Sequence, residues 1–468
     1  MRGVSETKPV LAIAGATGFV GRALAKELAE HFQVVGISRG ASASSSAVHE
    51  WRQADLFDEE ATARALSGAD YAIYLVHSMM PSARLTQARF EDLDLLCADN
   101  FGRAASRAGV KQIVYLGGLV PDTLGPLSTH LKSRAEMELA LGRYGVPVTV
   151  LRAGLVIGGG GSSFDMMLHL VRRLPVMICP AWTSNVMQPI AADDVVRLLA
   201  YVVAKPECFG QVYDVGVPER LSYRQLMQAL AEQLGLKRRF VPVPWFSPEL
   251  STLWVVLVTQ TPAELVGPLV QSLRHDMLTR DQRLVQMAGI RLLSIREAFE
   301  VALKQERQPS APSVSAAARP AKTASLVRSV QRMQLPIGRD AEWAANEYMR
   351  WLPRALRGLF VVEVDADRTC RFLIRGLPWP LLVLSRRNAT STSDQQIFDI
   401  SGGLLAVGKQ RGRFELRQVL NESTLMTAIH DFAPRLPWAI YRLTQALMHG
   451  WVMSAFRKHL SLPSLNVR

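Results

Sequence analysis

The stretch KPVLAIAGATGFVG, residues 8–21, constrains this chain more than any other. Val10–Ala14 is an apolar run of strand length, broken by Gly15, with Gly18 and Gly21 following at three-residue intervals. Beyond the turn, Val20, Ala23, Leu24 and Leu28 recur at helical spacing on one face. Strand, glycine turn and helix is the context in which spaced glycines have separate mechanical jobs. One permits the tight turn, one lets backbone approach a pyrophosphate, and one lets the helix pack close to the strand. The free N–H groups at the helix start then face phosphate. Gly15, Thr17, Gly18, Phe19, Val20 and Gly21 are therefore the expected floor of a dinucleotide site, with Arg22 beside it.

Gln33–Ile37 reads as a second strand ending in Ser38, Arg39 and Gly40. A free ribose 2′-hydroxyl usually meets an Asp or Glu about twenty residues past the glycines. A hydroxyl and a guanidinium at Ser38 and Arg39 suit a 2′-phosphate instead, because the guanidinium fork donates to its oxygens and balances its charge. NADP(H) is thus expected ahead of NAD(H), which stays open.

Strands and helices go on alternating. Trp51–Ala54 is a short strand ending at Asp55 and Leu56, and the Asp55 carboxylate could accept from an adenine amino group. Tyr71–Val76 is a buried strand, and His77 opens the loop after it. Leu85–Ala108 reads as one long helix, Gln112–Leu116 as a strand, His130–Tyr144 as a helix and Val146–Leu151 as a further strand. Unbroken apolar strands between amphipathic helices imply an α/β fold with a parallel, doubly wound sheet. Ligands in such sheets sit beyond the carboxyl ends of the strands, here around Gly15–Gly21, Asp55, Val76, His77, Gly117 and Gly154. The glycine run 158–161 with Ser162 and Ser163 reads as a mobile loop over that crevice. Asp193 and Asp194 are candidate helix caps, and Ser222–Gln225 and Ser294–Glu297 are capping boxes.

Residues 306–325 are rich in Pro, Ser and Ala and read as a linker between a first domain, 1–305, and a last one, 326–468. The formal charge of +13 is unevenly spread. Residues 1–320 carry 33 Lys and Arg against 30 Asp and Glu, and residues 321–468 carry 21 against 11. The basic excess belongs to the last third, as a solvated face or as a surface for an anionic partner. Interleaved aromatic–basic motifs and a reading helix are missing, which argues against nucleic acid. Four scattered cysteines, with no ligand spacing, fit neither a zinc site nor a disulfide framework. The N-terminus enters the first strand without room for a signal peptide. No run approaches the ~18 apolar residues of a membrane span, so a cytoplasmic protein is expected.

Taken with Arg39, Asp55 and His77 at the strand ends, the motifs GATGFVG, VYLGG (114–118), LRAGLVIG (151–158) and PIAADDV (189–195) resemble the short-chain dehydrogenase/reductases, and among them the atypical, NmrA-like NAD(P)H-binding branch. The resemblance covers residues 8–303 and implies a Rossmann fold, a bound nicotinamide dinucleotide and oxidoreductase or epimerase-like ancestry. It also exposes a departure. Members carry a Ser or Thr after the fifth strand, where this chain has Gly117 and Gly118, and a Tyr with a Lys four residues on, where it has His130 and Arg134. An imidazole can serve as acid or base near neutral pH without the help a tyrosine needs. A guanidinium could hold the cofactor ribose but cannot relay protons. His130 and Arg134 are thus either catalytic residues of a reductase for a small hydrophobic carbonyl or quinone-like substrate, or polar helix residues of a domain that only binds cofactor.

In the last third, Leu326–Met333 alternates like a strand, and Asp340 could cap a helix through Trp351. Phe360–Val364, Cys370–Ile374, Leu381–Leu384, Ile397–Ile400 and Arg413–Val419 then read as short strands, and Leu436–Leu460 as a long closing helix. This order resembles the START/polyketide-cyclase superfamily, which implies a curved sheet gripping the last helix around an apolar cavity. Trp438, Tyr441, Leu443, Leu447, Trp451, Met453 and Phe456 would be mostly core, or would line a site for a hydrophobic ligand. His449–Trp451 and Ala455–Leu460 could equally form a basic amphipathic face touching lipid headgroups, a peripheral membrane contact.

Overall fold

The computed structural model describes residues 8–40, 46–77, 85–121, 127–243, 255–259, 263–307, 326–356, 358, 360–407, 412–420 and 422–462. It divides into two units. The first holds Met1–Met80 and Cys97–Arg319, the second Pro81–Leu96 and Pro320–Arg468.

In the first unit seven parallel strands form one sheet, in the order Val212–Val215, Val148–Ala153, Gln112–Gly118, Tyr71–Tyr74, Val10–Ala14, Gln33–Ser38, Glu50–Gln53. This is the expected doubly wound α/β architecture. Val10–Ala14 pairs with Gln33–Ser38 on one side and Tyr71–Tyr74 on the other, so the strand order reverses there and opens a crevice at the strand ends. The strands read as unbroken apolar runs because helices cover both faces. Leu24, Ala25 and Leu28 of the helix Phe19–Leu28 pack into one core with Val195, Leu198 and Leu199 of the helix Ala192–Val202. Burial of each leucine contributes about 1.5–3 kcal/mol.

Both capping boxes form: Ser222 and Gln225 bond reciprocally, as do Ser294 and Glu297. Asp193 and Asp194 do not cap their helix, whose N-cap is Ala191. Asp194 instead accepts from the Leu293 amide at 2.8 Å and pairs with Arg197, and Asp193 accepts from Gln305. The glycine run is not a free loop either. Ser162 already starts the helix Ser162–Arg173, and a Cβ on Gly158 would lie 2.4 Å from the Phe19 ring. Glu306 and Arg307 end the helix Ile295–Arg307, and the rest of the stretch read as a linker, 308–325, lies outside the described residues.

The second unit is an eight-stranded sheet in the order Phe360–Val364, Cys370–Ile374, Leu382–Arg386, Gln395–Gly402, Arg413–Val419, Thr424–Phe432, Val327–Gln334, Leu85–Gln87. The pairs are antiparallel except the last, which is parallel. Two sequence expectations fail here. Leu85–Ala108 is not one helix: Leu85–Gln87 is a strand against Val327–Ser329, and the helix is Phe90–Arg107. Gln87 carbonyl accepts from Ser329 and Gln331, and Arg332 donates to the buried Asp92 at 2.8 Å. Partners some 240 residues away hold the segment, and local periodicity carries no trace of them. The closing helix is also broken, into Trp438–Leu443 and Gln445–Leu460, at the non-helical Thr444. Asp340 does cap its helix, Ala341–Ala355, accepting from Trp343 N–H at 2.7 Å.

Candidate functional site

The glycine turn follows directly from the first strand. Gly15 has φ +88°, and a Cβ there would lie 3.0 Å from the Leu75 carbonyl oxygen on the neighbouring strand end. A Cβ on Gly21 would lie 2.2 Å from the Gly15 carbonyl oxygen, so the helix can start against the strand only with glycine at that position. Gly18 is the exposed, extended N-cap of the helix Phe19–Leu28, with no side chain capping it. The first amides of that helix, at Phe19, Val20 and Gly21, therefore lack intrahelical partners and point past Gly18, as an anion cradle requires. Thr17 is half-buried in the turn.

Around this cradle the expected cofactor residues occupy different depths. Arg22 and Arg39 are exposed, and neither side chain makes an ion pair among the described residues. Ser38 hydroxyl donates to the Gly40 carbonyl at 2.8 Å, and Gln53 donates to the Arg39 carbonyl at 3.0 Å, tying the ends of the second and third strands together. Asp55 accepts from the Phe57 amide at 3.1 Å, which orients the carboxylate. Leu56 is buried and its carbonyl accepts from Asn100 at 2.8 Å. Val76 is half-buried and His77 exposed, just past the strand Tyr71–Tyr74.

The structure brings His77 together with His130 and Arg134 of the helix Thr129–Gly142. Desolvation, then the positive charge of Arg134, lowers His130 to about 3. His77 still meets solvent, yet desolvation by the surrounding protein, then Arg134 and His130, hold it well below the ordinary imidazole value. The expectation that His130 would titrate near neutrality is corrected: at pH 7 both imidazoles are neutral and Arg134 carries the fixed charge. The first reason is desolvation by the packed protein around the ring; the second is a guanidinium one helical turn away that disfavours a second cation.

Sequence reading missed three further side chains. Arg134 donates to the buried Tyr115 hydroxyl at 3.4 Å and packs over Gly118, its Cγ 3.5 Å from where a Cβ would stand. Glu138, one turn beyond Arg134, accepts two bonds from Arg152 and lies beside Gly117. Tyr115 looked like an ordinary strand residue; the i, i+4 step from Arg134 to Glu138 was the legible signal. Among the described residues, no cluster of His, Cys, Asp or Glu is placed to hold a metal ion.

Residues 11–216 match the model of the NAD dependent epimerase/dehydratase family. That match supports an NAD(P)-binding domain of reductase/epimerase type. Auxiliary protein GraX of Staphylococcus aureus is 32% identical over 145 residues, which is 30% of this chain and 43% of GraX. The chain thus spans less than half of that relative. A ceramide reductase of Caulobacter vibrioides is 25% identical over 251 residues, 51% of this chain and 75% of that protein. An NADPH-dependent quinone oxidoreductase from Escherichia coli, solved with NADPH, shares the fold at TM-score 0.51 and 23% identity, over 62% of this chain and 99% of that one. No helix among the described residues is long and apolar enough to cross a membrane.

Proposed function

We propose that the chain is an NADPH-dependent oxidoreductase acting on a hydrophobic carbonyl or quinone-like substrate. The observation that carries the reading is the pairing of the glycine cradle with an exposed Arg39 that makes no ion pair among the described residues, at the end of the second strand. The cradle's amides would take the pyrophosphate and Arg39 the 2′-phosphate, with Arg22 adding charge. Relatives described as a ceramide reductase and an NADPH-dependent quinone oxidoreductase support an apolar substrate class.

Bound NADPH would supply the hydride. The chain's own residues must then stabilise the developing oxyanion and deliver a proton. Arg134, permanently charged, serves the first task. Neutral His130 serves the second as a shuttle, giving the proton on one ring nitrogen while the other takes one from water. His77, also neutral, orients the substrate carbonyl. Arg134→Leu should abolish NADPH consumption with apolar aldehydes and quinones while leaving NADPH affinity within a few-fold. Unchanged consumption would remove Arg134 from the chemistry.

A second reading is a redox sensor that binds NADPH without turning it over. The observation favouring it is that Glu138, fixed by Arg152, stands 3.1 Å from where a Cβ on Gly117 would lie and so crowds the position where the short-chain dehydrogenase resemblance implies a Ser or Thr. Tight NADPH binding with no consumption across the panel would select it.

The order of strands and the closing helix support reading the second unit as a START-like domain. Its basic composition and the exposed Leu443, Leu447 and Trp451 beside Arg442, Arg457 and Lys458 support peripheral membrane contact. Sedimentation with anionic vesicles, weakened by Trp451→Ala, is the expected result; no sedimentation would discard the contact.

A further inference from the structure

The second unit contains a cavity of about 340 Å³ between the inner face of its sheet and the Gln445–Leu460 helix. Its walls are apolar, including Phe372, Leu384, Phe414 and Phe432. Among the described residues, no Asp, Glu, Lys or Arg lines it. The polar groups are few: the hydroxyls of Tyr348 and Tyr441, the Thr444 hydroxyl, which donates to the Ile440 carbonyl, and, one turn apart on the same helix, the Gln445 amide and the His449 imidazole. The Gln445 Oε1 atom is buried and has no hydrogen-bond partner among the described residues. Burial lowers His449 to about 4, so it too is neutral at pH 7.

An unpaired buried acceptor costs free energy that a ligand donor would recover. The complementary group must donate to that oxygen, and a hydroxyl does so while keeping lone pairs that a ring N–H of His449 can meet. A carboxylate or ammonium head would lose its hydration with no opposite charge to meet it. We propose that this cavity is a binding site for an uncharged, apolar ligand with a hydroxyl head, the hydroxyl seated on Gln445 and His449. The assignment is independent of the oxidoreductase reading, because it uses only groups of the second unit.

The test is calorimetric titration of the full chain, without cofactor, with 1-decanol and with decanoate at pH 7. Decanol should bind at least about tenfold more tightly, since only the carboxylate must shed a charge's hydration. Val452→Trp, which fills the cavity, should abolish decanol binding. Gln445→Leu removes the orphan oxygen, so it should melt no lower than the parent while binding decanol about fivefold more weakly. That second variant keeps the proposal testable if Val452→Trp does not fold. Decanoate binding as tightly as decanol would overturn the proposal. So would decanol affinity unchanged in Gln445→Leu or in folded Val452→Trp, the latter locating decanol in another site.

Discussion

The carboxylate of Glu138 lies 3.1 Å from the point a Cβ on Gly117 would occupy, and Arg152 holds that carboxylate from two nitrogens at 2.9 and 2.5 Å. Glycine at 117 and the Glu138–Arg152 pair are therefore one feature. Gly117→Ser should destabilise the fold by about 1–3 kcal/mol, the usual cost of overpacking against a neighbour that cannot yield. Urea denaturation of the variant checks this; unchanged stability would mean that the ion pair moves freely.

The glycines of the turn should separate by phenotype. Gly21→Val drives a side chain into the Gly15 carbonyl and should prevent folding of the first unit. Gly18 is exposed, its added Cβ 3.1 Å from that same carbonyl, so Gly18→Val should fold and lose NADPH. Circular dichroism and NADPH fluorescence titration read the two effects. Wild-type NADPH affinity in Gly18→Val would contradict the cradle.

Arg39→Ala should weaken NADPH by about 1.5–3 kcal/mol, the value of a charge-assisted contact, and leave NADH almost untouched. Equal loss for both cofactors would show that Arg39 does not read the 2′-phosphate.

Desolvated neutral histidines set an acid limit on stability. His130 and His449 are lowered to about 3 and about 4 in the folded chain, while an unfolded imidazole titrates near 6.5. Below about pH 6.5 the unfolded chain binds protons that the folded one refuses. Stability is therefore complete above that value and falls as pH drops toward 4. Replacing His449 by Gln should flatten the decline in denaturation midpoint over this window, and an identical decline would contradict its being held neutral in the fold.

The parallel sheet was legible because its signals are local: apolar runs of strand length, the glycine turn and two capping boxes. The same holds for the grouping of Gly15, His77 and Gly117 at strand ends, which follows from sheet topology. What escaped were features decided by distant partners. Leu85–Gln87 is a strand only because Val327–Ser329 supplies its ladder. Spacing singled out His130 and Arg134 as candidates, but the low His130 value depends on desolvation and on how close the guanidinium comes. Leu443, Leu447 and Trp451 read as core from their apolarity alone yet are exposed; the Gln445–Leu460 helix is apolar on more than one face and buries the one that carries Val452, Met453 and Phe456.

If His130 shuttles the proton as a neutral imidazole, turnover should be flat from about pH 5 to 8, with no limb at the ordinary imidazole value. His130→Ala should lower it by about 10²–10⁴-fold, the range for general acid–base groups. A bell-shaped profile centred near pH 6.5 would restore the imidazolium as the donor.

Hydride transfer itself is tested most directly with NADPH carrying deuterium at both C4 positions of the nicotinamide, incubated with the chain and decanal. Mass spectrometry of the product should find one deuterium on the carbinol carbon of decanol, absent when Arg134→Leu replaces the parent. Decanal recovered unlabelled and unreduced, with NADPH bound, would contradict the oxidoreductase account.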